Sequence, residues 1–377
     1  MRLFRSLFSG FDFPLFATTL TLALCGLVTM YSHAGDGGYF VRQMVWINVS
    51  TIFLLAAVIP DYRFLRTGNS VFYIYIVILI SLALILVIGK TTLGAQSRFN
   101  LGFFSIQPSD PAKLVLIMVL AKYFSKRHIL IGDLRHIVVS GLYMFFIFAF
   151  VFVQPDFGSG LIIASVWFGI VLVAGISWKH LGAVFLVGVT LFSMLWLFGF
   201  KEYQKQRILT FLHPLADVRG TGYNAYQSTI AVGSGQLLGK GVGYGTQSKL
   251  HFLPEYQTDF IFAAFAEEWG FAGVVFLFSL FGVVMYRILR ISLYAETNFE
   301  RIFGVGVATL LISHFLVHIG MNIGLLPVTG VTVPFLSYGG SHLITEFISV
   351  GMLMGMNKNS AATRVRRVDE LVLTTAQ

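Results

Sequence analysis

Charge is scarce in this chain. Only 11% of its 377 residues are Asp, Glu, Lys or Arg, against 56% that are hydrophobic. A soluble domain carries about a quarter charged residues, so the shortage excludes an all-aqueous surround and makes the bilayer the solvent. Cysteine is almost missing as well. The single Cys25 excludes an intrachain disulfide, a redox pair and a multi-cysteine metal site. No repeat of fixed period and no low-complexity linker divide the chain, which reads as one integral domain over 1–377. The first apolar run lacks a small-residue cleavage site and more runs follow it, so it is not a removable signal peptide.

What is abundant fits a membrane. The 38 Phe and 38 Gly suit packed helices, where aromatics fill gaps and small residues let backbones approach. A span needs about 20 apolar residues. Runs of this kind lie near 13–31, 43–59, 71–89, 137–153, 159–176, 180–199, 260–286, 302–323 and 341–356. A shorter run at 111–124 starts with Pro111 and contains Lys113. The prediction is an all-α polytopic membrane protein of about ten helices. A large loop over 200–258 separates the seventh span from the eighth, and a short polar tail covers 358–377.

The net charge of +9 would point to nucleic acid in a soluble protein, but its placement gives a different meaning. Arg63, Arg66, Lys122, Lys126, Arg135, Lys179, Arg287, Arg290 and Arg301 all fall on the side of the two termini. The positive-inside rule makes that side cytoplasmic and the 200–258 loop extracytoplasmic.

Asp259 stands out among the remaining polar residues. It sits between the polar loop and an unbroken run, Phe-Ile-Phe-Ala-Ala-Phe-Ala. A carboxylate there is costly to desolvate, and such groups face a cavity, a partner or a substrate. Other candidates lie on the same predicted side. Pro111 opens a helix that Ser109 or Asp110 is placed to cap, with Lys113 within reach of Asp110. Either that pair is only a local ion pair, or Lys113 also meets an anionic ligand. Asp156, in Gln154-Pro-Asp156-Phe-Gly158, either caps the next helix or serves as a second acidic group for a cation or sugar hydroxyl.

The segment Gly233-Ser-Gly235-Gln-Leu-Leu-Gly239-Lys240-Gly241 looks like a phosphate loop at first. It departs from that pattern, with Ser234 at the first glycine position and Gly241 where a Ser or Thr would bind magnesium. Lys240 and the backbone amides around it still suit a diphosphate. Glu267 falls near the face of Asp259, where it either joins that site or ties helices together. The pairs His314/His318 and His342/Glu346 are spaced i, i+4, and without a third ligand they read as interhelical hydrogen bonds.

Four ordered motifs resemble the SEDS family of bacterial cell-shape and division proteins. They are Gln107-Pro-Ser-Asp-Pro-Ala-Lys113, Gln154-Pro-Asp156-Phe-Gly158, Phe252-Leu-Pro-Glu-Tyr-Gln-Thr-Asp259, and Gly324-Leu-Leu-Pro327-Val-Thr-Gly330 with Pro334-Phe-Leu-Ser337-Tyr-Gly-Gly340-Ser341. The segment Gly239–Ser248 and the short termini are more similar to the elongation branch than to the division branch. Two positions depart from the family's usual pattern. His318 stands where Asn is common, and Asp110-Pro111 stands where Glu and an apolar residue are.

The resemblance implies a peptidoglycan glycosyltransferase of the bacterial inner membrane that polymerises lipid II on the outer face. An inverting displacement of undecaprenyl diphosphate needs a base for the acceptor hydroxyl and positive charge for the leaving group. Asp259 matches the family's essential aspartate and is the expected base. Lys113, Arg98 and Lys240, or a divalent cation such as Mg or Mn, would stabilise the diphosphate. Arg42 and Gln96 are further candidates for the same cavity. No organic cofactor is implied. The partners implied are lipid II, the lipid-linked glycan, a class B penicillin-binding transpeptidase and elongation-complex proteins. A transporter that flips lipid II and a scaffold that recruits the transpeptidase are the rival readings.

Overall fold

The computed structural model describes residues 11–31, 38–92, 95–100, 105–126, 133–212, 221–250 and 252–375; their side chains are described except at 90–97, 100, 221 and 359–375. Helices cover every apolar run. They are α1 (Phe13–Tyr31), α2 (Tyr39–Val58), the short α3 (Arg63–Thr67), α4 (Ser70–Ile88), α5 (Ser109–Ser125), α6 (Leu134–Val153) and α7 (Phe157–Ala174). Next come α8 (Trp178–Met194), α9 (Glu202–Leu212), α10 (Thr221–Ser234), α11 (Thr246–Lys249), α12 (Ile261–Leu293), α13 (Asn298–Asn322) and α14 (Gly340–Thr375). Among the described residues, eight are long and apolar enough to cross a membrane. α5 has 17 residues, and α14 carries its helical backbone on through the polar tail to Thr375.

Burial sorts these helices into a centre and a rim. α5 is buried without interruption from Ala112 to Ala121, and α13 has 61% of its most apolar window buried. α8 has no buried residue. Close packing of small residues holds the bundle, as expected where lipid offers no hydrophobic drive between helices. A methyl group on Gly26 would fall 2.1 Å from the Leu336 carbonyl oxygen, so α1 can meet the 336 segment only as glycine. Asp12 accepts from the Leu15 amide at the start of α1 and receives a fork from Arg287 of α12, at 3.0 Å from Nε and 2.6 Å from Nη2. Such a bidentate pair fixes orientation as well as distance.

A small antiparallel ribbon, which the hydropathy pattern does not announce, precedes α5. Its order is β1 (Lys90–Thr92), β2 (Ala95–Asn100) and β3 (Ser105–Ile106). It carries Arg98 and leads directly to Gln107.

α12 breaks at Gly270, where φ is 65° and ψ is −168°. Broken backbone at membrane depth survives only if its polar groups are satisfied. The glycine-rich segment supplies the partners. Lys240 and Gly241 amides donate to the Glu267 and Glu268 carbonyls, both at 3.0 Å. The Phe271 and Ala272 amides donate to the Gln236 and Leu237 carbonyls, at 2.8 and 3.0 Å. The approach leaves no room for side chains, since a methyl on Gly270 would lie 2.1 Å from the Gly239 nitrogen. Gly270→Ala is therefore expected to destabilise the protein by about 1–3 kcal/mol, read as a lower Tm in detergent; an unchanged Tm would show that the kink relaxes.

Candidate active site

The turn before α12 holds Asp259 in place through its backbone. Glu255 takes a left-handed conformation (φ 51°), and its carbonyl accepts from the amides of Thr258 at 3.1 Å, Asp259 at 3.1 Å and Phe260 at 3.3 Å. Asn322, fully buried at the end of α13, donates to the Asp259 carbonyl at 3.0 Å. Its Oδ1 accepts from the Ala263 amide at 3.2 Å and from the Ser228 hydroxyl at 3.3 Å. That amide is one of the orphan donors in the first turn of α12, so the carboxamide caps a second helix while it supports the turn. On the other flank, the Ser337 hydroxyl donates to the Thr258 carbonyl at 3.1 Å, and the Tyr338 amide donates to the Gln257 carbonyl at 2.9 Å. Gly330 lies against the carboxylate itself: a methyl there would sit 3.7 Å from Asp259 Oδ2.

Asp259 faces a cavity of about 550 Å³. α2 contributes Tyr39, Arg42 and Trp46, the ribbon contributes Arg98, and α5 contributes Asp110 and Lys113. Asp156 comes from the start of α7, Tyr203 and Arg207 from α9, and Glu255 and Thr258 from the Asp259 turn. The chain over 327–332 and 338–342 closes the wall. Burial pushes the Asp259 carboxyl up to about 6, with help from the Glu255 carboxylate; Arg207 and Arg98, and a hydrogen bond from Thr258, oppose the rise. A carboxyl so placed exchanges a proton close to neutral pH, the condition a general base needs.

The predicted residues meet here with few exceptions. Gln107 links two of them, accepting from Arg98 Nε at 3.1 Å and donating to Asp156 Oδ2 at 3.0 Å. Asp156 also caps α7, its Oδ1 accepting from Ser159 N at 3.0 Å, and it lines the cavity as well. Arg42 is an exposed part of the cavity lining. Lys113 lines it too, while Nζ contacts Asp110 at 3.1 Å and both side chains are buried.

Two expectations need correction. Asp110 does not cap α5; the helix begins at Ser109 after Pro108, which offers no side-chain bond, and the carboxylate turns to Lys113 instead. Lys240 is not among the residues that line the cavity. Its Nζ donates to Glu267 Oε1 at 2.7 Å and to the Thr246 hydroxyl at 2.8 Å. Glu267 also accepts from the Thr246 and Gln247 amides at 2.9 and 3.1 Å. The pair therefore clasps the glycine-rich segment to α12, and Glu267 is the tie rather than a partner of Asp259. The Gln96 side chain lies outside the described residues.

Two of the histidines, His314 and His318, meet backbone carbonyls. His318 Nδ1 lies 2.7 Å from the Val331 carbonyl, and His314 Nδ1 lies 3.1 Å from the Thr332 carbonyl. His342 sits between two carboxylates, 2.8 Å from Glu346 and 3.7 Å from Asp110. Among the described residues no three His, Cys, Asp or Glu side chains come together to hold a metal ion. Arg42, Arg98, Lys113 and Arg207 are the Arg and Lys residues among the described cavity lining.

Sequence reasoning missed Arg207, Glu255, Gln107 and His342 as lining residues. Arg207 was hidden by its company, Lys201-Glu-Tyr-Gln-Lys-Gln-Arg207, which reads as an ordinary solvated helix face. Glu255 and Gln107 stand inside two of the quoted motifs, and that position was the available signal.

The FtsW/RodA/SpoVE cell cycle protein family matches residues 13–362. The chain is 37% identical over 340 residues to the peptidoglycan glycosyltransferase MrdB of Escherichia coli (strain K12), a match that covers 90% of this chain and 91% of the relative. Among solved structures, a chain from a peptidoglycan synthase complex that coordinates polymerization and crosslinking superposes with a TM-score of 0.79 at 28% identity, covering 93% of this chain and 98% of its own. The rod shape determining protein RodA of Thermus thermophilus superposes with a TM-score of 0.70, also at 28% identity, with 93% of this chain and 97% of its own covered. The chain belongs to the SEDS family, that of FtsW, RodA and SpoVE, and is an integral membrane protein of the bacterial cell-wall machinery.

Proposed function

We propose that this glycosyltransferase polymerises lipid II into β-1,4 glycan strands, with Asp259 as general base, on the extracytoplasmic face of the inner membrane. Its relatives are named peptidoglycan glycosyltransferases. The observation that carries the reading is the placement of Asp259, with its raised pKa, in one cavity with Arg98, Arg207, Lys113 and Arg42. In a single inverting displacement, the acceptor 4-hydroxyl loses its proton to Asp259 as its oxygen attacks the donor's anomeric carbon. The bond from that carbon to the phosphate oxygen breaks, and the diphosphate leaves with the electron pair. Arg98 and Arg207, with Lys113 and Arg42, stabilise the charge that develops there. A divalent cation such as Mg would be shared between the diphosphate and one or two of the cavity's carboxylates.

The orientation rests on the distribution of Lys and Arg. In a Cys25→Ser background, a cysteine placed at Leu250 is expected to react with a membrane-impermeant thiol reagent added to whole spheroplasts, while one at Ser360 is not. Labelling at 360 from outside would reverse the topology.

Partner and role follow the same line. A similar chain works in a complex that polymerises and crosslinks, which supports a class B penicillin-binding transpeptidase as partner. The Gly239–Ser248 segment supports a role in elongation rather than division. Purified protein with that partner is expected to convert lipid II to glycan chains in detergent, visible as a ladder on a gel. Absence of polymer there, with lipid II moving across vesicles instead, would favour the flippase.

A further inference from the structure

Three aromatic side chains in the cavity wall are used by nothing above, and Arg42, assigned above to the diphosphate, stands among them. Tyr39, Arg42 and Trp46 stand at i, i+3 and i+7 of α2, which puts them on one stripe of the helix. Their register is set from inside, because buried Gln43 donates to the Ser337 carbonyl at 3.2 Å. Tyr338 joins the stripe from the facing turn, its ring 5.1 Å from that of Tyr39 and at 84° to it. All three rings are half-buried, and all line the cavity.

Gly340 explains how the indole is seated. A methyl group there would fall 2.4 Å from Trp46 Cε2 and 2.6 Å from Cζ2, so Trp46 packs directly on bare backbone. Aromatic side chains are common anchors at a membrane–water boundary, but anchors face lipid or headgroups. These line the same cavity as Asp259, and Tyr338 is bonded through its amide to Gln257, two residues before Asp259.

The rest of the lining is mostly polar, with Arg98, Gln107, Asp156 and Thr258 among it. Phe157 of α7, Phe200 and Tyr203 of α9 line the cavity too, and a cavity with aromatic rings set among hydrogen-bonding groups fits a ligand that is itself two-sided. A pyranose is such a ligand: its axial C–H bonds form an apolar face, and its hydroxyl and acetamido groups form a polar edge.

We infer that Tyr39, Trp46 and Tyr338 form a stacking platform for a hexosamine ring of the lipid-linked substrate, with Arg42 on the same stripe left to the diphosphate beside that ring. This deepens the lipid II reading and rests on it. The platform orients the sugar and takes no part in bond making, so it acts on substrate affinity more than on turnover.

The test separates a π face from simple bulk. Trp46→Phe keeps an aromatic face and Trp46→Leu removes it. In the lipid II polymerisation assay with partner, Trp46→Leu is expected to raise KM about tenfold, the upper range for an aromatic stacking contact, with kcat little changed. Trp46→Phe should stay near wild type. A Leu variant with the wild-type KM, in an enzyme that still polymerises, overturns the platform and leaves the proposed function standing.

A second measurement needs neither turnover nor a risky variant. Saturable quenching of tryptophan fluorescence by the lipid-free N-acetylglucosaminyl-N-acetylmuramic acid disaccharide should be largely lost in Trp46→Phe, which isolates this indole among the five tryptophans. Equal quenching in both proteins overturns the inference. A wild type that fails to polymerise refutes the lipid II reading, and the quenching result then decides the sugar platform separately.

Discussion

Asp259→Asn is expected to insert, fold and bind its partner, yet to make glycan from lipid II at least roughly 10²-fold more slowly, the loss typical of a catalytic base. The carboxamide keeps the shape and can still accept a hydrogen bond. It cannot take up and return a proton. The supports of the turn run through backbone atoms, with Asn322 on the Asp259 carbonyl and Ser337 on that of Thr258, so the substitution leaves them intact. A pH profile gives the same claim a second readout. With the Asp259 pKa raised to about 6 by burial and Glu255, the basic form is present above that value and lost below it. Activity of the wild type should therefore fall about tenfold per pH unit on the acid side of 6. Near wild-type polymerisation by Asp259→Asn would sink the mechanism, and an acid limb near pH 4 would show that the base is a solvent-exposed carboxylate.

The second large effect concerns Asp110 and Lys113. Lys113→Met should cost about 3 kcal/mol of stability, near the low end for breaking a buried pair. The low end applies because His342 remains 3.7 Å from the stranded carboxylate. Asp110→Asn with Lys113→Met leaves neither charge alone, and the detergent Tm should recover most of the loss. Activity should not recover, because Lys113 also lines the cavity and the departing diphosphate has lost a cation. Recovery of both Tm and activity in the double variant would reduce Lys113 to a structural role. Separate readouts are needed here because Lys113 both pairs with Asp110 and lines the cavity.

The fates of the candidate residues show what the chain's own order can reveal. Asp259, Arg98, Lys113, Asp156 and Arg42 were readable because each is a polar group that a membrane helix or its flank has no reason to keep. Lys240 carries a different signal, the glycine-rich segment around it, and lies outside the cavity lining. Its partner Glu267 is 27 residues away, and only the break at Gly270 brings the glycine-rich segment onto α12. Tyr39 and Trp46 form a legible stripe, but a stripe of aromatics looks the same whether it faces lipid, protein or a cavity.

The sequence by itself determined where the helices lie, the membrane as their surround and, through four motifs, the family. It can do so because a helix in lipid must satisfy its own backbone hydrogen bonds, so about 20 apolar residues in a row specify a helix without help from the rest of the chain. Tertiary structure alone decided that Asp259 shares a cavity with Arg207, that Asp110 turns from its cap to Lys113, and that Lys240 closes a clasp outside the cavity lining. Each depends on which faces of separate helices meet. That choice is made by close packing of small residues such as Gly26 and Gly340 between segments far apart in the chain, to which hydropathy along the sequence is blind.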